Sequence, residues 1–532
     1  MISAYPGTAV RAAEKPLLDA GHGPALMQRA AYGLYAACAR EVLARRGSLY
    51  GARVTVLAGA GNNGGDALYA GARLAGRGAG ITAVLTSESS HPQALAAFRA
   101  AGGRIVALSS DPDACARLCA DSDLVIDGIL GTGGKGGLRG PAADLARAFA
   151  GRSSYPGAGS GGPRPLLVAC DLPSGVDSDT GQADGEHFTA DLTVTFGAAK
   201  TGLMTGPGAA AAGRMEIIDI GLGPVPGPAV RRLEPVDLSQ LLPSPRKTDH
   251  KYSRGVLGIA AGSATYPGAA VLATGAALAT GVGMVRCLAP ESVCRLINSA
   301  HPEAVCASGS VPLTHVQAWL AGPGAGTDED QRRRALEAME SGLPAVIDAD
   351  ALAHVQPGLG PQVVLTPHAG ELTALLTRLG VDATREGIEA DPLKHARRAA
   401  ELTGATVLLK GWATITAAPT GETYSQAEAT PWLAAAGSGD TLAGILGSLL
   451  ATDRQSRDTA SEPPPGHFAE LAAAAASIHG RAGTLASQAG PLEPSALPSA
   501  IRTVTGELAA MRLTAEYPAR RRVKRGVAID PV

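Results

Sequence analysis

Residues 434–441 read Ala-Ala-Ala-Gly-Ser-Gly-Asp-Thr and open an apolar, alanine-rich stretch. A glycine turn feeding a helix places one carboxylate, Asp440, where backbone N–H groups lack partners and the helix dipole adds partial positive charge. Such a helix start binds anions, and a carboxylate beside a phosphate is a natural base for a hydroxyl attacking it. Gly-Ser-Gly before a helix also serves as a plain tight turn, so this motif alone leaves both readings open. A second constellation spans 54–66, Val-Thr-Val-Leu-Ala-Gly-Ala-Gly-Asn-Asn-Gly-Gly-Asp, a β-branched strand running into a glycine loop with a helix expected over 67–75. That order suits a phosphate-binding turn, but the spacing is neither G-x-G-x-x-G nor a P-loop. The side-chain oxygens of Asn62, Asn63 and Asp66 suit a hard cation or a ribose. Asn-Gly and Gly-Gly also simply make turns.

Positioning such loops takes a scaffold. In the first half, strand-like runs at 53–58, 81–86, 104–108, 124–127, 166–170 and 192–196 alternate with helical candidates at 65–75, 92–101, 112–120 and 141–149. Apolar strands separated by helices predict a parallel sheet covered on both faces. Ligands of such sheets collect at the carboxyl ends of the strands, where the loops 59–66, 127–137 and 171–177 all fall. A proline-rich passage at 221–228, continuing through Pro235, Pro243 and Pro245, reads as a linker. A second alternating series follows at 256–261, 284–289, 345–348, 363–366 and 406–410, with helices at 439–451 and 468–486. The expected organisation is α/β in two domains, 1–225 and 226–515, with a basic tail over 516–532. Two polar segments, 153–165 and 452–466, read as loops.

Composition narrows the function classes. At 532 residues, 45% hydrophobic and 18% charged, the chain is globular and holds more than one core. A formal net charge of −2 gives no broad attraction for nucleic acid or an anionic membrane. The basic run Arg520, Arg521, Arg522, Lys524, Arg525 reads as a solvated tail. Seven dispersed cysteines without a Cys-x-x-Cys pair fit reduced thiols in a cytoplasm. No secretory leader is visible. The uncharged stretch 266–285 is long enough to span a bilayer but is built of Ala, Gly and Thr, so it reads as a buried helix.

Taken together, the motifs resemble the bifunctional NAD(P)H-hydrate repair enzymes, which join an NAD(P)HX epimerase domain to an ADP/ATP-dependent NAD(P)HX dehydratase domain. In the first half the resemblance rests on Gly59-Ala-Gly-Asn-Asn-Gly-Gly-Asp66, Asp127-Gly-Ile-Leu-Gly-Thr-Gly133, Leu138-Arg-Gly-Pro141 and Asp171-Leu-Pro-Ser-Gly-Val-Asp177. In the second it rests on His250-Lys251, Gly262-Ser263 with Tyr266-Pro-Gly-Ala269, Gly322-Pro-Gly-Ala-Gly326 and Asp348-Ala-Asp350. Leu365-Thr-Pro-His-Ala-Gly-Glu371, Leu409-Lys-Gly411 and Gly437-Ser-Gly-Asp440 complete it. Ala67 and Ala325 depart from the family pattern without removing a reactive group.

The resemblance implies a Rossmann-like doubly wound first domain and a ribokinase-like second. It implies a substrate hydrated on the nicotinamide ring, NADHX or NADPHX, with a hydroxyl at C6. In the first domain it places the substrate against Asn62, Asn63, Gly64, Gly65, Asp66, Gly131, Thr132, Gly133, Gly134, Lys135, Gly136 and Gly137. Asp171 becomes the candidate acid/base, and Asn63, Asp127 and Ser174 the ligands of a potassium ion. Lys200 reads either as a phosphate partner or as a surface lysine. In the second domain, phosphorylation of the C6 hydroxyl and elimination restore the ring, with Asp440 as base. Ala269, Gly326, His368 and Asp440 then face the hydrated ring, and Lys410, Gly411, Trp412, Ala413, Thr414 and Gly439 border ADP or ATP. Asp348 and Asp350 become candidates to help hold Mg²⁺ through water. A homo-oligomer is expected. A ribokinase-type small-molecule kinase uses the same Asp440 chemistry, and a nucleotide-binding scaffold shares the first fold. The fused first domain argues against the kinase, and the set Asn63, Asp127 and Asp171 against the scaffold.

Overall fold

In a computed structural model, the described residues are 1–134, 136–153, 164–453, 463–488 and 490–516. They fall into two compact units: Ile2–Arg231 with Glu389–Leu393, and the remainder. The expected basic tail lies outside the described residues, as do Lys135 and most of both polar loops.

The first unit carries β1 (Ile2–Tyr5), β2 (Arg53–Ala58), β3 (Gly80–Leu85), β4 (Arg104–Ala107), β5 (Leu124–Gly128) and β6 (Leu166–Cys170). β7 (Leu192–Phe196), β8 (Ala199–Lys200) and β9 (Arg214–Ile218) follow, and β10 (Val230–Arg232) runs one residue past the unit's end at Arg231. Its main sheet is parallel throughout, in the order β4-β3-β2-β5-β6-β7-β9. Side chains of a strand alternate between faces. Accordingly Val54 and Val56 enter a cluster with Leu34, Leu68 and Phe98, while Leu57 enters another with Val125, Leu145 and Phe149. This is a doubly wound sheet, and its order reverses between β2 and β5, the place where sheets of this kind bind ligands at the strands' carboxyl ends. The chain's departure from β2 differs from the sequence expectation. Helix begins at Asn62 and runs Asn62–Ala75, so Asn-Asn-Gly-Gly-Asp forms its first turn rather than a loop before it. These are poor helix formers, and packing decides: a Cβ on Gly64 would lie 2.2 Å from the Gly59 carbonyl oxygen.

The second unit carries β11 (Val256–Ala260), β12 (Met284–Leu288), β13 (Val305–Ala307), β14 (Ala318–Ala321) and β15 (Ala345–Ile347). It continues with β16 (Val363–Leu365), β17 (Thr406–Leu409), β18 (Thr414–Ala417) and β19 (Thr423–Gln426). These line up as β13-β12-β11-β14-β15-β16-β17-β18-β19. Pairing is parallel as far as β17 and antiparallel through β18 and β19, a hairpin absent from the sequence reading. The Ala/Gly/Thr stretch is the buried helix Pro267–Thr280, stopped by Gly281 in the left-handed conformation at φ 112°. Small residues let it press on helix Ser438–Thr452, where a Cβ on Gly444 would lie 2.3 Å from the Ala273 carbonyl oxygen. Among the described residues no helix is long and apolar enough to cross a membrane.

Candidate functional site

At the carboxyl ends of β2, β5 and β6 the predicted residues of the first unit converge. Asp127 closes β5 fully buried, accepting hydrogen bonds from the Ser174 amide at 2.7 Å and hydroxyl at 2.6 Å. Burial pushes its carboxyl up to about 6 against the pull of those donors. Ser174 Oγ also accepts from the Leu130 amide at 2.9 Å, and Asn63 Nδ2 donates to the Leu130 carbonyl at 3.0 Å. One loop thus gathers Asn63, Asp127 and Ser174. Gly137 closes the same loop region, where a Cβ would lie 2.1 Å from the Asp184 carbonyl oxygen.

Asp171 follows β6 in the left-handed conformation, φ 68°, unusual outside glycine. Its Oδ2 accepts from the Thr132 amide at 3.2 Å and hydroxyl at 2.6 Å. Its Oδ1 accepts from Lys200 Nζ at 2.5 Å and Thr195 Oγ1 at 3.1 Å. Burial works to raise this carboxyl, but the Lys200 ammonium and the hydroxyl donors outweigh it and hold it below its ordinary value. Lys200 is therefore neither a phosphate partner nor a surface residue: it is 1% exposed and pinned inside by Asp171, Thr195 and the Phe196 carbonyl. Asp66 differs from both other acids. Its Oδ1 is buried without a partner, and burial, then the charges of Asp171 and Glu14, push its carboxyl well up. Gly131, Thr132, Gly134, Gly136 and Gly137 are half-buried, and Asn62 and Gly133 exposed; Lys135 lies outside the described residues.

In the second unit the sites again sit at strand ends. Gly437, at φ 93°, turns the chain into helix Ser438–Thr452, so Asp440 stands in its first turn. Burial and the charge of Asp348 push Asp440 up to about 6, against the pull of Lys410. Lys410 follows β17 and donates to Asp348 Oδ1 at 2.8 Å, with Glu371 Oε2 at 3.7 Å. Burial would lower its ammonium, yet Asp348 and Glu371 hold it above the ordinary value. Asp348 also accepts from Thr366 Oγ1 at 2.8 Å, and Asp350 accepts from the Gly326 amide at 2.7 Å. Both carboxyls expected beside Mg²⁺ are thus already engaged.

His368 caps helix Ala369–Arg378 in reciprocal bonds with Glu371 and bridges to Lys410 along the sheet. Gly326 and Ala269 meet around Tyr266 and Gly324: a Cβ on Gly326 would lie 3.5 Å from the Tyr266 ring, and one on Gly324 2.7 Å from Ala269 Cβ. A Cβ on Gly439 would lie 3.7 Å from Lys410 Nζ. Gly411 and Trp412 are exposed, Thr414 is half-buried and Ala413 is buried. Trp432, on the short turn Pro431–Leu433 before the anion loop, is exposed as well, whereas Trp319 on β14 is buried. One supporting residue escaped the sequence reading. His479 Nε2 lies 3.3 Å from Ser438 Oγ and 3.2 Å from Thr441 Oγ1, beneath the loop, and burial lowers it to about 4, so the imidazole is neutral. A histidine in an alanine-rich helix was the signal available for it.

Residues 257–503 match the family model described as NAD(P)H-hydrate dehydratase, and residues 23–202 the one described as YjeF-related protein N-terminus. The chain is 41% identical over 465 residues to the bifunctional NAD(P)H-hydrate repair enzyme of Mycobacterium tuberculosis, covering 86% of this chain and 91% of that one. It is 41% identical over 455 residues to the Mycobacterium leprae enzyme of the same name, covering 84% and 89%. Among solved structures, the ADP/ATP-dependent NAD(P)H-hydrate dehydratase of Bacillus subtilis, co-crystallised with ATP and Mg²⁺, is similar at 25% identity and a TM-score of 0.46. That match covers 52% of this chain and 99% of that one.

Proposed function

Because the chain belongs to the bifunctional NAD(P)H-hydrate repair enzymes, we propose that it restores nicotinamide cofactors hydrated on the ring, one step in each unit. The first unit interconverts the R and S epimers of NADHX or NADPHX at C6, with Asp171 as the acid/base. The second dehydrates the S epimer at the expense of ADP or ATP. The observation that carries this reading is Asp440, a half-buried carboxyl in the first turn of a helix, beside the Lys410–Asp348 pair. Asp440 takes the proton of the C6 hydroxyl as it attacks the terminal phosphoryl group. N–H groups in the first turn of that helix, with Lys410, steady the charge that builds on that group. The phosphorylated oxygen is then a good leaving group, and its elimination restores the double bond. Lys410, Gly411, Trp412, Ala413, Thr414 and Gly439 border the nucleotide in this reading, and Ala269, Gly326 and His368 the hydrated ring.

Magnesium bridging nucleotide phosphates needs few protein carboxylates, which suits a site whose Asp348 and Asp350 are already engaged. Asn63, Asp127 and Ser174 offer oxygen atoms around a single loop, a donor set that fits potassium. A bound cation supplies positive charge to offset the buried Asp127. Seven free cysteines fit a reducing, cytoplasmic setting.

The test mixes the protein with both NADHX epimers and ADP, then ATP, and follows the return of reduced-nicotinamide absorbance. Asp440→Asn should abolish dehydration while nucleotide affinity stays within about tenfold, or about 1.4 kcal/mol. Near-normal turnover in that variant removes Asp440 from the base role. Asp127→Ala should blunt the potassium dependence of epimerisation, titrated with sodium holding ionic strength constant. A wild-type potassium response there overturns the cation assignment.

A further inference from the structure

Helix Gly7–Asp19 lies outside the segment matched to the first family model, yet it is fastened to the loops of the first site. Arg11 donates to the Thr132 carbonyl, and Thr132 in turn donates its amide and hydroxyl to Asp171. The Gly7 amide donates to Asp179 Oδ1 at 2.5 Å, and a Cβ on Gly7 would lie 2.4 Å from Ser178 Oγ, so the helix start is seated without slack. Glu14 stands three residues after Arg11, on the same helical face. We propose that Glu14 is a proton-transfer group of the first site, paired with Asp171 and carried there by this docked helix.

Four charged groups act on the Glu14 carboxyl through their fields: Lys200 on β8, Asp171 after β6, Asp66 on helix Asn62–Ala75, and Arg11 on its own helix. Burial raises the Glu14 carboxyl; the Asp171 charge adds to that rise, and Lys200 and Arg11 oppose it. Asp171 is held ionised by Lys200. Carboxyls whose surroundings push them in opposite directions divide acid and base roles between them. Asp66 is also pushed up, but at 8% exposure it is shut from water, whereas half-buried Glu14 can refill its proton from solvent.

The assignment rests on the epimerisation proposed above. Glu14 gives its proton to the C6 hydroxyl oxygen; the C–O bond breaks, water leaves, and the ring nitrogen lone pair forms a carbon–nitrogen double bond. A water adds to the opposite face of C6, its electron pair making the new C–O bond as the double bond returns to nitrogen. Its proton goes to Asp171, which passes it on to the Glu14 carboxylate. No oxidant or reductant is consumed.

The experiment measures conversion of purified R-NADHX by the full chain across pH. Glu14→Gln should lower kcat for epimerisation about 100-fold, the scale of a lost general acid, with KM within about threefold. Wild-type kcat should fall as pH rises through the Glu14 pKa, and that limb should vanish in the variant. Glu14→Asp should recover at least about tenfold. If the wild-type chain converts no R epimer, the functional reading itself fails. If it does, and Glu14→Gln keeps wild-type kcat or the same alkaline limb, Glu14 is not a proton-transfer group. A Glu14→Gln variant that unfolds leaves Glu14→Asp to decide: a pH profile unmoved by that change overturns the proposal.

Discussion

At the scale of single residues, the base role proposed for Asp440 requires it to be ionised. With its carboxyl pushed up to about 6, dehydration should fall away as pH drops through about 6. Asp348→Asn removes the negative neighbour that raises Asp440 and frees Lys410 to pull it down. The acid limb of kcat should therefore move to lower pH in that variant, as a pH–rate profile will show. The Asp171–Lys200 pair makes a different prediction, because both side chains are under 10% exposed. Removing one partner strands a buried charge at a cost of about 3–5 kcal/mol. Lys200→Met should lower stability by that order, and Asp171→Asn with Lys200→Met should recover much of the loss in denaturant melts. Asp440 stood out through its glycine-rich turn, and Asp171 through the family resemblance alone. The pairings of these residues were not legible: Lys200 lies 29 residues from Asp171, and Lys410 62 residues from Asp348. Strand order, rather than local sequence, joins them.

At the scale of elements, the five- and six-residue strands of the first sheet could be read from continuous apolar runs alternating with helical segments. The short strands β13 and β14 and the β18–β19 hairpin could not, since a run such as Ala318–Ala321 carries almost no periodicity. The start of helix Asn62–Ala75 was hidden for another reason. Asn-Asn-Gly-Gly is unfavourable for helix, and the close approach of Gly64 to the Gly59 carbonyl is a tertiary fact. That approach leaves no room for a methyl group. Gly64→Ala should destabilise the first unit by about 1–3 kcal/mol and depress epimerisation, measured by thermal unfolding and R-to-S conversion. Unchanged melting would mean that the turn yields more easily than its geometry indicates.

At the scale of the molecule, the proposed function places the two chemistries on separate residues, so single substitutions should part them. Asp171→Asn is expected to lose epimerisation while still dehydrating supplied S-NADHX. Asp440→Asn is expected to equilibrate the epimers while returning no NADH; separate assays on R and S substrate check both. The placement of the tryptophans carries a further consequence, for optics. All three, Trp319, Trp412 and Trp432, belong to the second unit, and the latter two are exposed. Tryptophan emission from this chain is therefore a one-sided reporter. Trp319, sealed on β14, supplies a blue-shifted constant background, while ADP arriving beside Trp412 should quench or shift the solvent-exposed part. Trp412→Phe should remove most of that response. Events confined to the first unit leave no tryptophan in their own surroundings to light up, and following them by fluorescence requires placing one there.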